Sequence, residues 1–376
     1  MIGTEEELVL LLSRANLSPD AAGRLKGLIR KGRPSPDYSR IADIAAKNGV
    51  APMLWNNIRD AGIFPENIRE RLRNIYLLTV KKNMINIAET MRIEALLKDR
   101  GIRSIPLKGA LASEMIFGNI GLYPAGDIDL LVQPSDLKQA ETVLTESGYS
   151  KMKGIGEKDL LSNHYHLIFQ NDTNNSVELH WNLVKRYFRI PAEFWWEDTG
   201  KTMYEGTEII SLSPERYLMY TIFRLFDHCF RPLKFISLVA GIIGKYEKEM
   251  EWDRLMEFSA RYRMERIVIF TLRLLNCLLG VKIPEDIRGR KIPGYAFFER
   301  NVISGIFRET ERPHLRMFAY TLLLDSPLSF SRVIMKRMIP DAGEIRLRYG
   351  LPEDSKKIYA YYLLNPFLIL LKKPKV

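Results

Sequence analysis

The spacing of apolar residues changes twice along this chain of 376 residues, and these changes limit the folds that it can adopt. Up to residue 100 the apolar residues recur three and four positions apart, as in Met84, Ile87 and Met91, which places them on one face of a helix. From residue 101 to residue 212 the apolar runs are short and are bounded by turn formers, which favours strands. Helical spacing returns after Ser213, a predicted N-cap that precedes Pro214.

The central part is predicted to contain four strands, at 104–107, 127–132, 165–170 and 177–181. A helix at 135–147, with Ser135 as its cap, separates the second strand from the third. Turn formers at 171–175 predict a hairpin between the last two strands. We therefore expect an α+β fold, in which a small mixed sheet in residues 101–212 lies between an N-terminal helical region, residues 1–100, and a C-terminal helical region, residues 213–376.

The composition argues against several classes of protein. The net charge of +11 suits an anionic partner, but the charged residues are scattered through helical segments and accompany no recognisable nucleic-acid module, so nucleic acid is not the expected partner. Cys229 and Cys277 give neither a disulfide framework nor a metal-ligand motif. No secretory signal is evident, and the longest apolar stretches, 235–243 and 358–371, are shorter than the roughly 20 residues of a membrane-spanning helix. A cytoplasmic location is therefore expected.

Acidic residues on two predicted strands form the first candidate site. Strand alternation turns Asp127 and Asp129 to one face, while the apolar residues between and after them turn to the other. On the last strand Glu178 and His180 share a face in the same way. If the strands are neighbours, Glu178 completes a set of three carboxylates, whose oxygen atoms suit a hard ion such as Mg²⁺. Two such ions stabilise the attacking and leaving oxygens of a phosphoryl displacement.

A second candidate site precedes the acidic strands. Residues 105–112 are typical of a strand, a tight turn and the start of a helix, where free backbone N–H groups favour phosphate. Gly109 allows a close approach of the backbone, and Lys108 offers a positive charge to a triphosphate. An ordinary turn with a solvent-facing lysine is the alternative interpretation.

The motifs 107–110, 127–132, 148–149 and 177–181 together resemble the nucleotidyltransferase superfamily of DNA polymerase β-like fold. Within it, the chain is most similar to a bacterial family of uncharacterised nucleotidyltransferases. The resemblance implies a nucleotidyltransferase core in residues 101–212, with Asp127 and Asp129 as the metal-binding pair and Glu178 as the third acid. It also implies that Lys108 and Gly109 hold the nucleotide phosphates and that Mg²⁺, or Mn²⁺ in its place, is the cofactor.

Two positions depart from the pattern of that family. Ala110 stands where the phosphate-binding turn usually has a serine, so its backbone N–H is the group left to bind phosphate. Tyr123 stands where many members have an arginine, four residues before the first aspartate. Both departures bear on turnover more than on nucleotide binding.

Further candidates for nucleotide binding are His180, His228 and Arg231. His180 shares the predicted face of Glu178, and a structural histidine is the alternative interpretation. His228 and Arg231 are spaced as on one turn of a helix, with Arg224 one turn earlier, and the three offer a cationic wall for a triphosphate, although a surface or interhelix ion pair would explain them equally. His164 and His166 lack the third ligand of a zinc site and are expected at the edge of a loop.

The expected reaction is transfer of a nucleoside monophosphate from a metal-bound NTP to a hydroxyl or phosphate acceptor, with release of pyrophosphate. The acceptor is a small molecule, a saccharide or a peptide. Two alternatives stay open: a catalytically weak nucleotide-binding scaffold or sensor, and a glycosyltransferase in which Asp127 and Asp129 grip a sugar nucleotide. At the C-terminus, the apolar residues of 359–371 and the lysines at 372, 373 and 375 suit either peripheral membrane contact or core packing with a solvated basic end.

Overall fold

A five-stranded mixed sheet lies between two sets of helices in the computed structural model, which confirms the expected α+β fold. The structure describes residues 2–31, 35–152, 165–173, 175–185, 188–307, 320–340, 342–352 and 355–371. Within these residues no helix is long and apolar enough to cross a membrane.

The N-terminal helices end in one long helix that leads into the sheet. They are α1 (Thr4–Leu12), α2 (Pro19–Lys31), α3 (Tyr38–Lys47), α4 (Ala51–Ile58) and α5 (Glu66–Asp99). Gly101, with a φ of 73°, ends α5 in the left-handed region that favours glycine. Leu97 near its end is fully buried, so α5 packs against the body of the protein and fixes where the first strand begins.

The sheet has the order β1-β2-β5-β4-β3. Its strands are β1 (Ser104–Pro106), β2 (Ile128–Val132), β3 (Ser150–Lys151), β4 (His166–Gln170) and β5 (Ser176–His180), with helices α6 (Ala110–Phe117) and α7 (Leu137–Glu146) in the connections. β2 and β5 are parallel, and the other neighbouring pairs are antiparallel. The four predicted strands and the predicted hairpin are all found, each with bounds within two residues of those expected.

The cap predicted for α7 is wrong. The helix begins at Leu137, so the N-cap position belongs to Asp136, whose side chain makes no capping hydrogen bond. The Ser135 hydroxyl donates to Asp136 Oδ1 at 3.1 Å instead of accepting from the helix. By contrast, Ser213 caps the next long helix as expected, because its Oγ accepts from the backbone N–H of Arg216.

A second, two-stranded sheet follows the first one and was not predicted. A 3₁₀ helix at Ala192–Trp196 leads into the antiparallel strands β6 (Gly200–Tyr204) and β7 (Thr207–Ser211). These strands are mostly exposed, so their apolar alternation is weak in the sequence.

The remaining described elements are helices. They are α8 (Pro214–Asp227), α9 (Leu233–Lys245), α10 (Trp252–Arg261), α11 (Glu265–Leu279), α12 (Glu285–Gly289), α13 (Tyr295–Phe307), α14 (Pro327–Met338), α15 (Ala342–Tyr349) and α16 (Ile358–Leu371). One buried cluster joins the two helical regions, since it contains Leu8 and Leu54 together with Ile222 and Leu238. A second cluster lies between α5, α7 and the main sheet.

Candidate active site

The parallel pairing of β2 with β5 sets the position of the acidic residues. In this register Asp129 lies directly beside Glu178, and Leu131 lies beside His180. His180 Nε2 is 3.1 Å from Asp129 Oδ1 and 3.3 Å from Glu178 Oε2. The ligand atoms of Asp129, Glu178 and His180 all lie within 4.8 Å of one another. The structure therefore brings together two predicted metal ligands and one predicted nucleotide-binding residue.

Lys108 lies against the same carboxylates instead of facing solvent. Its Nζ donates to Asp129 Oδ2 at 2.6 Å and is 3.7 Å from Asp127 Oδ1. The end of β1 holds it there, because the backbone N–H of Leu107 donates to the Asp129 carbonyl. The Lys108 side chain is 10 % exposed, the Asp129 side chain is completely buried, and that of Asp127 is 32 % exposed. Asp127 is thus the carboxylate that is most open to a ligand.

The turn at Gly109 is built for a close approach to β2. Gly109 has a φ of 100°, and a Cβ placed there would lie 3.1 Å from the backbone carbonyl oxygen of Asp127. Ala110 follows as the first residue of α6, with a buried side chain. The first N–H groups of α6 have no partner within the helix, as in any helix N-terminus, and they lie next to the Asp127 backbone.

The loop before Asp127 is fastened to the long helix. Asn83 of α5 is fully buried, and its Nδ2 donates to the carbonyls of Ile120 and Tyr123 at 2.6 and 2.8 Å. Its Oδ1 accepts from the backbone N–H of Ala125 at 3.3 Å. One side chain therefore holds three points of the loop, which limits the positions that Asp127 can take.

Mutual attraction keeps the buried groups charged. Burial by itself would raise the pKa of Asp129, but Lys108 and the hydrogen bond from His180 outweigh it and hold this pKa far below its usual range. Burial would also lower the pKa values of Lys108 and His180, yet the neighbouring carboxylates raise both. The pKa of Asp127 is raised, first by burial and then by repulsion from Asp129.

Glu178 carries the observation that bears most on a metal ion. Burial and repulsion from Asp129 would raise its pKa, but the contact with His180 and attraction to Lys108 lower it overall, so the group is a carboxylate. Its Oε2 is buried and lies 3.3 Å from His180 Nε2, which is closer to Asp129 Oδ1, so Oε2 has this one long contact and no hydrogen bond of good geometry within the described residues. A buried, ionised oxygen with one long contact to a histidine, beside Asp129, fits a hard divalent cation.

A second lysine, Lys234 at the start of α9, approaches the site and was missed in the sequence. Its Nζ donates to the Pro124 carbonyl at 2.9 Å and lies 5.2 Å from the centre of the Tyr123 ring. Burial and the charge of Lys108 lower its pKa, while Asp127 partly offsets both effects. The structure thus places an ammonium beside the residue where an arginine was expected, and no local pattern in the sequence could have paired positions so far apart.

Arg224 of α8 is a further positive charge near the carboxylates. Its Nη1 donates to the Tyr165 hydroxyl at 2.5 Å, and attraction to Asp129 and Glu178 contributes to raising its pKa against the effect of burial. The buried hydroxyl of Tyr220, one turn earlier on α8, has no hydrogen bond within the described residues. Unpaired polar atoms beside the carboxylates provide places for a polar ligand to bind.

The shared helical face predicted for His228 and Arg231 is wrong. α8 ends at Asp227, and Cys229 and Phe230 have φ values of 53° and 58°, so the chain turns away from the helix. His228 caps α8 and packs on Phe235, with ring centres 4.9 Å apart. Burial lowers its pKa to about 4, and Arg224 adds to this effect. Within the described residues no ion pair joins Arg231 to a carboxylate of the site.

Of the two other histidines considered in the sequence, His166 lies in the main sheet and His164 lies outside the described residues. His166 begins β4 instead of lying at the edge of a loop, and its ring centre is 5.0 Å from that of His180. Burial, aided by His180, lowers the pKa of His166 to about 4. His166 is therefore a neutral neighbour of the charged cluster.

Comparison with known families agrees with this geometry. A family model described as an uncharacterised nucleotidyltransferase matches residues 34–280, which include the sheet, the acidic cluster, α8 and α9. Searches of curated proteins and of solved structures found no significant match.

Proposed function

This chain belongs to the uncharacterised nucleotidyltransferase family, and from that premise we propose that it transfers a nucleoside monophosphate from an NTP to a hydroxyl or phosphate acceptor and releases pyrophosphate. The observation that carries the proposal is the parallel register that sets Asp129 beside Glu178 and brings their ligand atoms, with that of His180, within 4.8 Å of one another. An acidic pair on one strand and a third acid on its parallel neighbour suit metal-assisted phosphoryl transfer.

Asp127, Asp129 and Glu178 are the proposed ligands of Mg²⁺, or of Mn²⁺ in its place. When bound, such an ion neutralises charge on the phosphate oxygens and stabilises the departing pyrophosphate. The donor set fits this ion because it consists of oxygen atoms at one end of two paired strands. His180 has a different role in the proposal: it holds Asp129 by a hydrogen bond from Nε2 and so fixes the orientation of the carboxylate.

The phosphates are proposed to lie against the turn at Lys108 and Gly109 and the N-terminal amides of α6, beginning with Ala110. Lys108 leaves Asp129 for a phosphate oxygen as the nucleotide binds, since a carboxylate that takes a cation no longer needs the ammonium as its partner. Lys234 lies near enough to add a second positive charge. Its proposed role compensates for the tyrosine at position 123.

The chemical step is an in-line displacement at the α-phosphorus. The acceptor oxygen forms a bond to this phosphorus, and the bond from the phosphorus to the bridging oxygen of the pyrophosphate breaks. The acceptor proton passes to the carboxylate of Glu178, whose Oε2 is buried and lies 3.3 Å from His180 Nε2. Arg224 is the proposed contact of the acceptor or the outer phosphate.

Nucleotide binding is tested first by thermal unfolding of the full chain with ATP, GTP, CTP and UTP, each with and without Mg²⁺. A ligand at 100 times its Kd adds about 2.7 kcal/mol to the stability of the folded state. We expect a rise in Tm with at least one NTP that requires the metal ion. The absence of a metal-dependent shift with all four would contradict the proposal.

Catalysis is tested by pyrophosphate release in a panel of hydroxyl and phosphate acceptors. We expect Asp129→Asn to lower the rate by about 100-fold or more, because a site for charge stabilisation is lost. Asp172→Asn is the matched control, since Asp172 lies exposed in the turn between β4 and β5 of the same sheet. Equal rates in Asp129→Asn and the wild type would remove Asp129 from the mechanism.

A nucleotide-binding scaffold is the second candidate function. The observation that favours it is the ion pair of Lys108 with Asp129, which neutralises the buried carboxylate without any ligand. Metal-dependent binding of an NTP without pyrophosphate release from any acceptor would support this function. The glycosyltransferase alternative needs alternating strands and helices before Asp127, whereas residues 2–31 and 35–103 are described as helices and connections without a strand.

A further inference from the structure

The C-terminal helix α16 carries its apolar residues on the outside. Tyr359, Leu363 and Phe367 are 73 %, 76 % and 65 % exposed. They are four residues apart, so they form one stripe along the helix. The expectation that this stretch packs into the core is wrong for these three side chains.

The side of α16 that faces the protein holds the buried Ile358 and one buried polar residue, Asn365. Asn365 is fully buried; its Nδ2 donates to the Met338 carbonyl at 2.9 Å, and its Oδ1 accepts from Arg348 and from the Tyr349 hydroxyl. The ring of Tyr361 stacks on that of Tyr349 with centres 4.4 Å apart. These contacts fasten α16 to α14 and α15, so its orientation is set by bonds that a rotated helix would lose.

A surface helix normally buries its apolar face and exposes its polar one. α16 carries large apolar residues on its outer side as well, and the neighbouring α14 adds Met335, which is 57 % exposed. Large apolar side chains that are grouped on a surface mark a contact with a protein or with a membrane.

The charged residues near α16 favour a membrane over a protein as the partner of this surface. Lys356 and Lys357 are exposed just before the helix, and the sequence continues after it with lysines at 372, 373 and 375. Glu353 and Asp354 precede them, so the five lysines and two acids of residues 353–376 give a net charge of +3 (5 − 2). The two exposed lysines beside the apolar stripe and the net positive charge of this segment would repel a second copy of the same surface, whereas they complement the anionic headgroups of a bilayer.

We propose that the outer face of α16, formed by Tyr359, Leu363 and Phe367, docks the protein onto an anionic lipid surface. The helix lies in the plane of the interface with these side chains among the upper acyl chains, and Lys356 and Lys357 contact the headgroups. Tyr359 suits this depth, because its ring is apolar and its hydroxyl reaches water. The interaction goes beyond nucleotide transfer, since none of these residues belongs to the candidate active site.

The test is co-flotation of the full chain with vesicles of phosphatidylcholine alone and of phosphatidylcholine with phosphatidylglycerol. We expect binding to the anionic vesicles that weakens as salt is raised. Leu363→Glu with Phe367→Glu should abolish this binding. The matched control is Leu78→Glu with Met84→Glu on α5, where the two side chains are similarly exposed, 67 % and 59 %, and binding should be unchanged.

A second double variant measures how much the two lysines contribute to vesicle binding. Lys356→Gln with Lys357→Gln should lower the partition coefficient by about 30-fold, from roughly 5-fold for each lysine at the surface. Far-UV circular dichroism establishes that each variant is folded. Failure of the wild type to bind anionic vesicles at low salt would overturn the proposal. A wild-type dimer that Leu363→Glu with Phe367→Glu converts to a monomer, without vesicle binding by either protein, would overturn it in favour of a second copy.

Discussion

Replacing Lys108 with methionine removes one charge from the buried cluster and keeps most of the side-chain volume. In the wild type the ammonium is 2.6 Å from Asp129 Oδ2, in a pair whose side chains are 10 % and 0 % exposed. Removal of one partner from a buried ion pair costs about 3–5 kcal/mol, because the other charge stays buried without its counterion. We therefore expect Lys108→Met to destabilise the metal-free protein by about 4 kcal/mol.

This loss converts to a change in Tm through the entropy of unfolding. At roughly 2.1 cal/mol/K for each residue, 376 residues give about 0.8 kcal/mol/K, so 4 kcal/mol lowers Tm by about 5 °C. The assay is differential scanning calorimetry in EDTA, with Lys245→Met, an exposed lysine near the end of α9, as the control. Addition of Mg²⁺ should return part of the lost Tm, since the ion can replace the ammonium beside Asp129. If the Tm of Lys108→Met in EDTA lies within about 1 °C of the wild-type Tm, which is about a fifth of the expected shift, the reasoning is refuted.

Three further variants test other parts of the site. Lys234→Met should raise the Kd for the NTP about tenfold, by loss of one charged contact, whereas Lys245→Met on the same helix should leave the Kd measured by calorimetry unchanged. Gly109→Ala should lower the free energy of unfolding in urea by about 1–3 kcal/mol, because it combines a strained φ with a contact to the Asp127 carbonyl. Gly206→Ala is the control, since Gly206 has a positive φ but open space around it, and it should lower the free energy of unfolding by less. Equal losses in the two variants would show that the contact with the Asp127 carbonyl contributes nothing. His180 has a pKa above its unfolded value of about 6.5, so its proton stabilises the fold below pH ~6.5 and this contribution is lost as the pH rises through the folded pKa. His180→Asn should flatten the fall in stability with rising pH above ~6.5, and an unchanged slope would show that His180 does not carry it.

The local part of the fold could be predicted from the sequence because alternation and turn formers are properties of neighbouring residues. These patterns located β2 and β5 and placed Asp129 and Glu178 on the strand faces that they occupy in the structure. The pairing of these two strands could only be assumed, since register depends on contacts between residues about 50 positions apart. The exposed hairpin of β6 and β7 was missed because little of its surface is apolar and buried.

Contacts across the fold were beyond a sequence pattern. Lys234 reaches the site from a helix that follows the sheet, and Asn83 reaches its loop from a helix that precedes it. The pairing of His228 with Arg231 failed for a local reason, since two left-handed residues end the helix between them. Helix ends of this kind have weak sequence signals when neither residue is glycine.

The central claim is that the carboxylates on β2 and β5 hold a divalent ion together with an NTP, and Mn²⁺ binding measures this most directly. The free Mn²⁺ signal in electron paramagnetic resonance is titrated with the protein and the NTP that gives the largest thermal shift. We predict that the wild type removes the free signal and that Asp129→Asn and Glu178→Gln each weaken Mn²⁺ binding about tenfold or more, while Asp172→Asn does not. A wild-type protein that leaves the free signal unchanged, or two variants that bind Mn²⁺ as tightly as the wild type, would contradict the account.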